Sequence, residues 1–252
     1  MRLSQRPPSI LVAVFILLAG FVFSSRILAA DTVPGRAEVR GVKGSATYST
    51  NGGPAKPLRV GVILRSGYTI RTGSNSTVDL FLGVSAGIVR VAENSTVAFD
   101  KLTLTDTGAD TAVEVQMHLP DGEMYFKVNK LSKASRYEIK LPTGVAGIRG
   151  TKGCLSFRRA GSLKPPITLL EGRLVYIHVP PGGEPVEHTL NAPPAVYFTA
   201  VGGVQEAPEE LVNDVTKELD AAEKKAAPRP FPPPTRNKQQ PEPFVSPNNT
   251  GG

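Results

Sequence analysis

Between residues 37 and 201, apolar and polar side chains alternate in short runs, and glycine, proline, asparagine or aspartate separates the runs. The run "TVDLFL" shows the pattern: Val78, Leu80 and Leu82 point one way, while Thr77, Asp79 and Phe81 point the other. A period of two residues describes a strand with one face buried. "GSATYST", "PLRVGVILRSGYTIRTG", "AGIVRVAENSTVAFDKL", "TAVEVQMHL", "GEMYFKVN", "SRYEIKLP", "KGCLSFRR", "ITLLEGRLVYIHV" and "AVYFTAV" read the same way. Valine, isoleucine, threonine and tyrosine fill them and turn formers bound them. "MYFKVN" alternates less cleanly, as a strand near an edge or corner does. No helical period interrupts this region. The pattern predicts one all-β domain over 37–201, a short-stranded roll or sandwich of antiparallel type.

The period changes after it. In "APEELVNDVTKELDAAEKKAA", residues 207–227, Leu211, Val215, Leu219 and Ala222 recur at helical spacing. Proline and two glutamates open the segment and lysines close it, as the helix dipole favours. The apolar stripe is thin, which leaves two expectations open: weak packing on the β domain, or a free stalk. Residues 228–252 are proline-rich and read as an extended, disordered tail carrying Phe231 and Phe244.

The N-terminus reads as a secretory signal peptide over 1–30: a basic, acid-free start, a continuous apolar run from Ile10 to Phe23, then small and polar residues. The run is shorter than the roughly 20 residues that span a bilayer comfortably. An uncleaved anchor is the alternative, and only then is a membrane contact expected. Either way the remainder is expected outside the cytoplasm, periplasmic or secreted. The formal net charge is +7, and Arg2, Arg6 and Arg26 of the leader supply three of those charges. The mild excess left over does not indicate a nucleic-acid partner. The lone cysteine, Cys154, excludes an internal disulfide. On a strand it lies opposite Leu155 and Phe157, so burial of those two predicts a partly buried, poorly reactive thiol.

Candidate chemistry is sparse. His118, His178 and His188 form no zinc-type spacing. "GVSAG", residues 83–87, has the letters of a nucleophile elbow, yet a strand rather than a helix follows it, so it reads as a turn. Asp79, Asp121, Glu123 and Glu171 make no paired constellation in sequence. Catalytic, cofactor and metal residues are therefore expected to be none.

One stretch stands apart. "LPTGVAGIRGTKGCLSF" places Gly144, Gly147, Gly150 and Gly153 at every third position, with Arg149 between two of them. It matches neither a Walker loop nor a dinucleotide fingerprint, because no helix follows. Glycines so placed suit a tight corner where the backbone passes close to another strand or takes positive φ. Arg149 then bonds the carbonyls or a carboxylate of a neighbouring turn. A grip on an anion is the alternative.

Here the chain resembles the FecR protein domain, a bacterial extracytoplasmic β domain named after an iron-citrate signalling regulator. Pro142, Thr143, Gly144, Gly147, Ile148, Arg149, Gly150 and Thr151 carry the family's strongest element. "PLRVGVILRSGYTIRTGSNSTVDLFL", "VRVAENSTVAFDKL", "LPDGEMYFKV" and "ITLLEGRLVYI" follow the family's order, so the resemblance spans about 41–179. "LPTG" stands where the family often has "TPTG". Nine residues precede the apolar run, and no cytoplasmic anti-sigma region is expected in them. No TonB-interaction domain is evident. The resemblance implies a non-enzymatic binding or scaffold module of the cell envelope, with an envelope protein or cell-surface polymer as partner. A signal-transduction or sensing component is the alternative, and a carboxylate-dependent envelope enzyme the third reading.

Overall fold

The computed structural model describes residues 32–106, 111–159, 164–199 and 201–226. The leader over 1–30 and the tail over 228–252 lie outside the described residues. Among the described residues the strands are β1 (Thr32–Pro34), β2 (Ala37–Lys43), β3 (Ala46–Thr50), β4 (Lys56–Pro57), β5 (Ile63–Leu64), β6 (Tyr68–Thr72), β7 (Thr77–Phe81) and β8 (Ile88–Val91). Then follow β9 (Thr96–Asp106), β10 (Thr111–Lys127), β11 (Arg136–Leu141), β12 (Gly144–Phe157), β13 (Ile167–His178), β14 (Val186–Ala192), β15 (Val196–Phe198) and β16 (Val204–Glu206). Helix α1 (Glu209–Ala226) closes the order. The class is all-β with one helix, as the alternation predicts. Strands β1 and β16 lie just outside the 37–201 segment.

Four strands are not short: β9 has 11 residues, β10 has 17, β12 has 14 and β13 has 12. The sequence reads "LPDG" as a break between two strands, yet β10 runs through it. His118 pairs with Ala98 and Asp121 with Thr96, so β10 carries an extra residue against β9. Pro120 has no N–H to give a ladder and falls in this bulge. The extra residue reverses the alternation: Val115, Met117 and Leu119 face the core before it, Met124 and Phe126 after it.

The glycine stretch is also a strand. Ile148 pairs with Leu174 and Thr151 with Gly172, which puts an extra residue on β12. Lys152 pairs with Glu171 and Gly153 with Leu169, which puts one on β13. Gly150 has φ 82° and Gly172 φ 89°, a region that L side chains rarely enter. A Cβ on Gly172 would stand 2.1 Å from the Gly150 carbonyl oxygen. Both strands bend here, and the alternation of β12 reverses. Ala146 and Ile148 enter the core before the bend, Leu155 after it.

The bent strands roll one connected sheet around the core. Its main path is β16-β15-β13-β12-β11-β10-β8-β7-β2-β5, with β14, β9, β6, β3, β4 and β1 branching from it. β10 and β11 pair in parallel. The core holds Phe99, Phe126, Phe198, Tyr176, Met117, Met124 and aliphatic residues from most strands. Each such fully buried side chain contributes roughly 1.5–3 kcal/mol. A repeated turn that the sequence reading overlooked anchors the first half. "NSTV" occurs at 75–78 and 94–97; Asn75 and Asn94 adopt φ 50° and 49°. The serine after each is buried: Ser76 Oγ accepts from Ser45 N at 2.8 Å, and Ser95 Oγ from Glu123 N at 2.9 Å.

Helix α1 is not a stalk. Glu209 and Glu210 lie in its first turn and Lys224 and Lys225 in its last. Val215, Leu219, Ala222 and Ala226 are buried against the outer face of the sheet, on β2, β7, β8 and β10. β7 and β8 are consequently buried on both faces. The thin stripe suffices because the remaining contacts are ionic.

Candidate functional site

Two surfaces meet the requirements of a site: convergent polar groups beside an accessible depression. The first contains the glycine-rich element. Pro142 and Thr143 form the turn before β12, and Thr143 Oγ1 lies 2.8 Å from the Tyr176 hydroxyl. Gly144 has φ 152°, and a Cβ there would stand 2.2 Å from the Ile177 carbonyl oxygen. Ile148 is a core residue. Arg149 donates through Nη1 to the carbonyls of Ser135 at 3.0 Å and Ser132 at 3.4 Å, in the turn before β11. Thr151 exchanges backbone hydrogen bonds with Val128 at 2.8 and 3.0 Å. Gly153 passes so close to β13 that a Cβ would lie 2.3 Å from the Thr168 carbonyl oxygen. Gly147 does not share the corner role assigned to its neighbours. It has no positive φ, and a Cβ there would meet only the Val175 carbonyl oxygen, at an ordinary 3.6 Å. It forms the floor of a groove of about 270 Å³ bordered by Val145, Val175, Ile177, Arg136, Glu138 and Arg149.

The second surface is the seam between α1 and the sheet. Asp79 and Arg90 project from β7 and β8 on the side opposite the core. Arg90 donates from Nε to Asp79 Oδ1 at 2.6 Å and from Nη2 to Oδ2 at 3.1 Å, and its Nη1 reaches Glu218 of α1 at 3.0 Å. Gly41, opposite Asp79 on β2, leaves room for this carboxylate, since a Cβ there would stand 2.7 Å from Oδ2. Burial works against the Arg90 charge, but Asp79 and Glu218 outweigh it and raise its pKa. One turn of α1 away, Lys164 donates to Glu123 at 2.7 Å, Asp214 at 2.7 Å and the Tyr125 hydroxyl at 2.9 Å. Desolvation opposes its charge as well, and Asp214 and Glu123 again prevail, holding its pKa above the usual value. Lys127 pairs with Glu223 at 2.7 Å. A cleft of about 270 Å³ opens at one end of the seam, bordered by Lys43, Glu93, Glu123, Tyr125, Lys164 and Glu218.

Cys154 lies in this seam. The structure buries it more fully than the strand alternation implies, at 3% exposure, because α1 covers the face that the sequence leaves open. Burial, with the Glu123 carboxylate beside it, pushes the thiol pKa up. Burial does the same to the Tyr125 phenol.

The remaining sequence candidates are dispersed. Asp121 accepts from Arg159 N at 3.2 Å, and Glu171 pairs with Lys152 at 3.2 Å. "GVSAG" is a turn between β7 and β8, closed by Gly87 N donating to the Gly83 carbonyl at 2.8 Å. His118 pairs across to Ala98 and Lys140. His178 and His188 approach each other at 6.2 Å between ring centroids, beside Tyr176 and Phe198. Burial and the neighbouring His188 lower the His178 pKa. Among the described residues no group of three or more His, Cys, Asp or Glu is placed to hold a metal ion.

The seam escaped the sequence reading because its partners are far apart in the chain: Arg90 and Glu218 are 128 residues apart. Two signals were available. Asp79 and Arg90 each interrupt an apolar strand, and Asp214 and Glu218 stand four residues apart beside the helix stripe.

An open, rolled β-sandwich with a helix on its outer face defines the structural class. A family model described as FecR protein matches residues 68–175, from β6 to within β13. The chain thus carries a FecR-like segment at the centre of its β structure, and it is an extracytoplasmic module of envelope signalling or binding. No curated protein matches the chain. Among solved structures it is similar to a candidate anti-sigma factor from Parabacteroides distasonis, at 12% identity and a TM-score of 0.41. That likeness covers 60% of this chain and 63% of the other.

Proposed function

We propose that the chain is a non-catalytic component of envelope signal transduction, in which the FecR-like β domain binds a partner outside the cytoplasm. The FecR-like segment over 68–175 carries this reading. It supports the signal-transduction or sensing reading more than the binding or scaffold module that the sequence suggests first. The seam supports a non-catalytic role. Glu123 is held by Lys164, Glu218 by Arg90, and Glu93 accepts from Asn75 N. Each carboxylate of the cleft is thereby engaged rather than poised as an acid or base. The domain organisation proposed with it is a leader over 1–30, either cleaved or kept as an anchor, a β domain over 37–201, a helix over 207–227 and a proline-rich tail over 228–252.

Deletion of the gene followed by transcript profiling tests the role. The expected result is a discrete set of genes whose expression changes and is restored by the full chain. An unchanged transcript profile with altered envelope composition would return the protein to the scaffold class.

A further inference from the structure

The outward face of β11, β12, β13 and β14 has a regular arrangement. Glu138 pairs with Gly147, Gly147 with Val175, and Val175 with Thr189, giving one row across four strands. On one side of that row Lys140, Val145, Ile177 and Glu187 form a second. On the other side stand Arg136, Arg149 and Arg173, one from each of three adjacent strands and all exposed. Neighbouring strands lie about 4.8 Å apart, so the three guanidinium groups form a line about 10 Å long. Arg136 in it is ion-paired with Glu138 at 2.6 Å, and Arg149 also donates to the Ser135 and Ser132 carbonyls, so Arg149 and Arg173 supply the net positive charge. The groove beside this line has an apolar side of Val145, Val175 and Ile177, with Ile177 42% exposed, and a charged side of Arg136, Glu138 and Arg149. Its floor is Gly147, a glycine that neither backbone conformation nor packing requires. A larger residue there takes up part of the groove.

We infer that this face binds an acidic, extended peptide segment of a partner protein, with one bulky apolar side chain seated over Gly147 and carboxylates on the arginine line. Charge complementarity selects the anion, because arginine recognises carboxylates by paired hydrogen bonds. The apolar border selects a peptide over an acidic polysaccharide, which has no bulky apolar group to place between Val145 and Val175. The inference rests on the reading of the chain as a binding module and assigns that module its surface.

The test is an NMR titration of the ¹⁵N-labelled full chain with the peptide acetyl-DEFED-amide. Acetyl-KKFKK-amide, acetyl-DEGED-amide and polygalacturonate are the comparison ligands. Saturable shifts at Val145, Gly147, Val175 and Ile177 are expected for the first peptide only, weakening as salt is added. Gly147→Val is expected to keep the wild-type melting temperature and lose at least about tenfold in affinity, as is Arg173→Gln. Arg173→Gln, on an exposed side chain, carries the test alone if Gly147→Val does not fold. Shifts centred elsewhere, equal binding of the basic or phenylalanine-free peptide, or undiminished binding by either variant would overturn the assignment. Binding of polygalacturonate in preference to the peptide would overturn its class. A silent groove with an intact transcript response to deletion removes the groove alone; a saturable groove with an unchanged transcript profile removes the signalling role alone.

Discussion

The outward side of β12 has two halves with opposite treatments. Before the bulge it presents Val145, Gly147 and Arg149 to an open groove. After it, Lys152, Cys154 and Ser156 take over the outward side, and α1 covers Cys154. The bulge at Arg149–Gly150 separates the halves, since one extra residue exchanges the inward and outward sets. In the sealed half, charges are paired and held: Arg90 has both oxygens of Asp79 and a third partner in Glu218. In the open half the arginines stay exposed even where they have partners: Arg136 pairs with Glu138 at 2.6 Å, and Arg149 donates to the Ser135 and Ser132 carbonyls. The same strand thus serves stability at one end and accessibility at the other.

The largest expected effect separates these roles. Asp79→Ala strips the buried Arg90 of two of its three hydrogen bonds, and breaking a buried pair typically costs about 3–5 kcal/mol. Urea unfolding measures the loss. Replacing both residues together, Asp79→Leu with Arg90→Met, should cost much less, because no charge is left buried and unpaired. A loss below about 1 kcal/mol for Asp79→Ala would mean that the seam behaves as surface and that α1 is loosely held.

A second comparison uses the glycines themselves. Gly144→Val forces a β-branched residue into φ 152° and against the Ile177 carbonyl, at a cost of about 1–3 kcal/mol. Gly147→Val should stay within about 0.5 kcal/mol of wild type. Equal losses in thermal melts would restore one structural role to the whole glycine series.

This division was only partly legible in the sequence. Alternation located most strands, though not β1, β14 or β16, and the helix ends were marked by Glu209, Glu210, Lys224 and Lys225, because both signals are local. The bulges were not legible. "LPDG" and "GIRGTKG" carry the letters of turns, and only cross-strand register shows that β10 and β12 continue through them. The covered face of β7 was misread for a similar reason. "TVDLFL" looks half-buried when read alone, and the helix that buries Asp79 lies well over a hundred residues later. As for the groove, the motif placed Gly147 and Arg149 together, but nothing local brings Arg136 and Arg173 alongside them.

Thiol labelling turns the comparison into a rate. Cys154 should react with a solvent thiol reagent at least about tenfold more slowly than a cysteine placed on the open half by Gly147→Cys in a Cys154→Ala background. That ratio corresponds to a local opening free energy of about 1.4 kcal/mol. The buried thiol is also kept protonated by its surroundings, which slows it further. Val215→Asp, which breaks the apolar contact of α1 beneath the thiol, should bring the two rates together. Rates that already match in the wild type would mean that α1 leaves the sheet freely.

The smallest expected effect concerns Lys164 and its dependence on pH. Its pKa in the fold is raised by Asp214 and Glu123 against the opposing effect of burial. A lysine raised in this way contributes stability in full below its unfolded value, about 10.4, and loses that contribution as pH climbs through the folded value. The side chains of Lys164 and Asp214 are 33% and 46% exposed, so solvent screening limits the pair to at most about 1 kcal/mol. Lys164→Met should therefore melt slightly below wild type at pH 8. The gap should narrow as pH rises past about 10.5, and added salt should narrow it at any pH. A Cys154→Ala background removes the thiol, which would otherwise ionise in the unfolded chain over part of the same range. A gap that widens with pH would reverse the direction of the Lys164 pKa shift, and burial of the ammonium would then outweigh the pull of Asp214 and Glu123.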